Sequence, residues 1–138
     1  MTEMSKQRPG TMRLVDALKY RLPLAGWVSI LHRASGAMLF VLLPFIIWMF
    51  DTSVTSEISF ELFKSAFSAG IGVLPGWFIK LVVWALIWAY LHHLIAGVRH
   101  LWMDATHSVS KEFGHGSAVF TLLTSVLLTA ALGARLLF

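Results

Sequence analysis

Three stretches of this chain contain no Lys, Arg, Asp or Glu: Ala34–Phe50, Leu81–Val98 and Phe113–Ala134. A bilayer's hydrocarbon core is about 30 Å thick, and a helix rising 1.5 Å per residue crosses it in roughly 20 mostly apolar residues. The first stretch reaches that length by extending back to about Leu24, across His32 and Arg33; the other two need only short extensions. The composition agrees, with 57% hydrophobic residues, a mean hydropathy of +0.75 and 13% charged residues. A soluble domain carries about a quarter charged residues. The reading is an all-α membrane protein with three transmembrane helices, at about 25–50, 76–101 and 115–137. Residues 1–138 form one membrane domain, preceded at 1–24 by a polar leader.

Charge placement orients the spans, because Lys and Arg flanking a span are retained on the cytoplasmic side. The leader holds Lys6, Arg8, Arg13, Lys19 and Arg21 against Glu3 and Asp16, whereas the connector 51–76 holds Asp51, Glu57 and Glu61 against Lys64. The N-terminus is therefore expected in the cytoplasm and the C-terminus in the periplasm, with Arg135 a mild dissent. The net charge of +4 reflects this topology rather than nucleic-acid binding. The leader lacks the short apolar core and small-residue cleavage site of a signal peptide. Its segment Met12–Arg21 reads either as a short amphipathic helix on the inner surface before Pro23 or as part of a solvated tail that only sets orientation. Cysteine is absent, which removes disulfides and thiolate metal sites.

The second span contains costly polar groups. At 100° per residue, His93, Gly97, His100 and Asp104 share one face, while His92 and Arg99 point away from it. His93 lies about 20 Å along the axis from Lys80 and about 9 Å from Arg99, within the inner half of the hydrocarbon. An ionisable residue at that depth is a functional candidate by default. It is either a hydrogen-bonded packing histidine or a cofactor ligand; His92, off the stripe, reads more readily as packing. His93 and His100 are about 10 Å apart and cannot reach one ion. A haem iron, in contrast, needs only one axial imidazole from each side. Gly97 would let a flat ring approach the backbone, or would serve helix packing. This chain offers no convincing second ligand at His93's depth, so that ligand would come from a partner subunit or a second copy.

On the first span, Ser29, His32, Arg33 and Gly36 follow helical spacing at the inner boundary. Arg33 either snorkels to lipid headgroups, with Ser29 and Ser35 as packing hydroxyls, or it joins Ser29 in a polar pocket for a quinone carbonyl or a haem propionate. His107 and His115 read as surface residues.

Two signatures on these spans, SILHRASG from Ser29 to Gly36 and HLIAGVRHLWMD from His93 to Asp104, resemble those of a known family. It is the cytochrome b large membrane-anchor subunit of bacterial succinate dehydrogenase (respiratory complex II). The leader's KQRP and the Arg21–Pro23 step are similar to the bacterial form, so the resemblance covers nearly the whole chain. It implies His93 as an axial ligand of haem b, opposite a histidine of a small membrane-anchor subunit. It also implies Ser29 and Arg33 at a ubiquinone site, and His32 with Arg33 near the haem propionates. The implied partners are that small anchor subunit, the iron–sulfur subunit, the flavoprotein subunit and the lipid bilayer, with no nucleic acid, in the bacterial cytoplasmic (inner) membrane. Succinate would be oxidised on another chain, so this one is non-catalytic alone. Three alternatives remain: the related anchor of a fumarate reductase, a haem-less structural anchor, and a non-redox transporter or proton relay. The last lacks ionisable steps above His93 beyond His92 and Tyr90.

Overall fold

The structure is a computed structural model describing residues 20–137; the leader's basic cluster and the helix or tail read at Met12–Arg21 lie outside the described residues, apart from Tyr20 and Arg21. Five helices follow in order: α1 Leu24–Val41, α2 Leu43–Val54, α3 Glu57–Ser68, α4 Gly76–Thr106 and α5 Lys111–Leu137. No strand occurs among the described residues. Helices α1, α4 and α5 are each long and apolar enough to cross a membrane.

The first apolar block, continuous in sequence, is divided between α1 and α2. Pro44 has no N–H to return to the Phe40 carbonyl, so the helical ladder fails one turn earlier. Leu42 leaves the regular helical conformation (φ −90°, ψ 5°) and bonds the Met38 carbonyl at 3.0 Å. Pro44 then stands in the first turn of α2, where its missing donor matters least.

The connector between the first and second spans also contains a helix, α3, that hydropathy does not announce. Ser56 caps it reciprocally: its hydroxyl accepts from the Ser59 N–H at 3.1 Å, and the Ser59 hydroxyl accepts from the Ser56 N–H at 2.9 Å. A tight turn follows, in which Ile71 and Leu74 exchange backbone hydrogen bonds of 2.9 and 3.0 Å. Gly70 has φ +98° there, and a Cβ would overlap the Leu74 carbonyl.

The bundle is built around α4, with α1 and α5 packed against it and against each other. Its surface is greasier than its centre. Phe40, Leu101 and Leu127 are exposed, whereas Val28, Ala89, Ala96 and Ala118 are buried together with Ser35, Thr121, Ser125 and Thr129. Lipid is as apolar as leucine, so spans gain by close backbone approach and satisfied hydroxyls rather than by burying large side chains. The α5 hydroxyls meet that condition within their own helix: Thr121 donates to the Ser117 carbonyl at 2.9 Å and Thr129 to that of Ser125 at 2.7 Å.

Candidate functional site

His93 leaves α4 toward α1. Its Nδ1 lies 3.0 Å from the backbone carbonyl oxygen of His32 and 3.4 Å from the Ser35 hydroxyl. A carbonyl oxygen can only accept, so Nδ1 carries the proton and donates. That assigns the tautomer: Nε2 keeps its lone pair. Nε2 has no hydrogen-bond partner among the described residues and, unlike Nε2 of His92, is not sealed inside the bundle. An imidazole held by Nδ1–H to a backbone carbonyl is the arrangement in which Nε2 serves as a metal ligand.

The rings around it are close. His32 stacks on His93 with centroids 4.2 Å apart and planes 11° from parallel, and His100 approaches His32 at 5.2 Å and 52°. Gly36 makes room for this cluster, and Gly97 borders it at ordinary contact distance. A Cβ on Gly36 would lie 2.8 Å from Cε1 and 3.2 Å from Nδ1 of His93; one on Gly97 would lie 3.5 Å from Nε2 of His32. Within this chain the flat ring lying against Gly97 is therefore the His32 imidazole.

The face of α4 carrying His92 and Arg99, which the 100° wheel sets apart from His93, packs against α5. His92 is fully buried, with Nδ1 3.2 Å from the Ser125 hydroxyl and its ring stacked at 5.3 Å on Trp88. Its Nε2 has no hydrogen-bond partner among the described residues. Arg99 is also buried, donating from Nε to the Ser117 hydroxyl at 2.9 Å and from Nη2 to the Gly114 carbonyl at 3.2 Å. These bonds tie the C-terminal part of α4 to the N-terminal part of α5.

The polar entry of the first span is split. His32, Ser35 and Gly36 meet His93, whereas Arg33 is exposed on the outside of α1 and Ser29 is half-buried. Asp104, His107 and His115 are exposed. Spacing did not single out Ser35 as a partner of His93; the Ser-Gly pair before the apolar run was the visible signal. Ser125 had none, since it lies 33 residues from His92.

Among the described residues no group of three or more His, Asp or Glu side chains is arranged to hold a metal ion. A porphyrin brings four nitrogens of its own, so one available imidazole nitrogen is the contribution it requires from a chain. The donor set at His93 fits that requirement.

Comparison with known proteins places the chain in a family. The profile of the family described as succinate dehydrogenase/fumarate reductase transmembrane subunit matches residues 4–132. The succinate dehydrogenase cytochrome b556 subunit of Paracoccus denitrificans is 34% identical over 109 residues, covering 79% of this chain and 78% of the relative. The protein of the same name from Coxiella burnetii is 34% identical over 122 residues, covering 88% and 90%. That of Rickettsia typhi is 25% identical over 130 residues, covering 94% of each. With its three apolar spans and a profile match over most of its length, this chain belongs to the succinate dehydrogenase/fumarate reductase transmembrane subunit family.

Proposed function

We propose that this chain is the membrane-anchoring cytochrome b subunit of a bacterial succinate:ubiquinone oxidoreductase, sharing haem b with a small membrane-anchor subunit and completing the ubiquinone site. The observation that carries the reading is the commitment of His93 Nδ1 to the His32 carbonyl, which leaves Nε2 as the donor. It is supported by relatives named cytochrome b556 subunits. When bound, haem b supplies one-electron redox chemistry at that position. His93 would hold it through Nε2, and Gly36 leaves the imidazole room to keep its orientation. His32 and the exposed Arg33 would serve the propionates, anions that suit a forked guanidinium.

Arg33 and Ser29 hold a ubiquinone carbonyl at the inner rim, where electrons from an iron–sulfur subunit arrive. The N-terminus lies in the cytoplasm, on the side where the iron–sulfur and flavoprotein subunits dock, and the C-terminus in the periplasm. The spans fix the assembly in the bacterial inner membrane.

The experiment is a split assay on the purified complex. A hydrogen bond to a charged group contributes about 1.5–3 kcal/mol, so Arg33→Leu is expected to lower kcat/KM for ubiquinone reduction roughly 10- to 100-fold. Ser29→Ala is expected to act in the same direction and less strongly. Succinate oxidation by an artificial acceptor should stay within about twofold of wild type. Equal loss in both assays would mean failed assembly and would contradict the quinone role.

A further inference from the structure

Ser35 is fully buried, yet neither the haem nor the quinone role uses it. Its hydroxyl donates to the His32 carbonyl at 2.9 Å, the same oxygen that accepts from His93 Nδ1 at 3.0 Å. Its oxygen lies 3.4 Å from that Nδ1, beyond the usual N–H···O range of about 2.7–3.2 Å. The His93 proton is therefore directed mainly to the carbonyl. That carbonyl also belongs to the α1 ladder, and it has only two lone pairs. Its donors compete, so each weakens the bond the other makes.

We propose that Ser35 is a positioning residue for His93: by sharing the His32 carbonyl it limits how strongly His93 Nδ1–H is held, and so sets the orientation and donor strength of Nε2. The proposal rests on the axial role assigned to His93. A stronger Nδ1–H···O bond gives the imidazole more imidazolate character, and a more basic ligand favours the oxidised iron. Removing the Ser35 hydroxyl frees the carbonyl for His93. The haem should remain bound and its midpoint potential should move to a more negative value.

The test compares Ser35→Ala with Ser125→Ala, which removes a hydroxyl from the other histidine, His92, on the far side of α4. Each variant is purified as the whole complex, and the midpoint potential is measured by optical redox titration. The expected result is full haem content in both, a negative shift in Ser35→Ala and an unchanged potential in Ser125→Ala. An unchanged or positive shift in Ser35→Ala would overturn the proposal, as would an equal shift in both variants. His93→Leu, measured alongside, separates the two levels of the argument. If it keeps the haem spectrum, the axial role itself fails; if it loses the spectrum while Ser35→Ala leaves the potential unmoved, only the role of Ser35 fails.

Discussion

Gly36→Ala and Gly97→Ala make the same chemical change one helix apart, and the geometry assigns them opposite outcomes. The alanine methyl at position 36 would lie 2.8 Å from His93 Cε1, short of ordinary carbon–carbon contact by about 0.7 Å or more. The imidazole has to move, and it is the ring whose Nδ1 is held at 3.0 Å by the His32 carbonyl. Overpacking of this kind costs about 1–3 kcal/mol, and weakening the hydrogen bond adds up to about 1 kcal/mol. Replacing a helical glycine by alanine returns about 1 kcal/mol. The net expectation for Gly36→Ala is destabilisation by up to about 3 kcal/mol, expressed at His93 and therefore as loss of haem. At position 97 the nearest atom is 3.5 Å away, so only the helix term remains, and Gly97→Ala should be neutral or stabilising by up to about 1 kcal/mol. The assay is haem per purified complex, with thermal denaturation in mild detergent. Haem content and Tm in Gly36→Ala equal to or above those of Gly97→Ala would refute the packing argument.

Two further outcomes follow from particular contacts. Ser125→Ala leaves buried His92 without its Nδ1 partner, at a cost of about 1–3 kcal/mol, whereas His92→Leu removes the polar ring itself and should cost less; Tm measurements on both variants check the order. Pro44→Ala restores a donor for the Phe40 carbonyl, so backbone amides around Leu42 should exchange more slowly with deuterium, and unchanged exchange would mean that proline does not cause the break.

The parts of this fold governed by local periodicity were legible from the chain alone. The uncharged runs mark α1, α4 and α5, and the 100° wheel separates the His93 face of α4 from the His92 and Arg99 face. Periodicity names a face and leaves its partner open. It grouped Arg33 with His32, but the 100° between adjacent helix positions turns His32 toward His93 and leaves Arg33 outside. It could not pair His92 with Ser125, or show that the His32 contribution to His93 includes a backbone carbonyl, which no side-chain pattern encodes. The division of the first apolar block had a visible cause in Pro44. The α3 helix had one in the Ser56–Ser59 cap, a signal that hydropathy alone overlooks.

The central claim is that His93 supplies a haem ligand from within the second span. Its most direct test is the dithionite-reduced minus oxidised visible spectrum of the complex purified through this chain, wild type beside His93→Leu. The account predicts a b-type band in the wild type and its loss or marked weakening in the variant, with the soluble subunits still co-purifying. A flat wild-type spectrum with those subunits present, or a band unchanged in His93→Leu, would contradict it and make His93 a packing histidine.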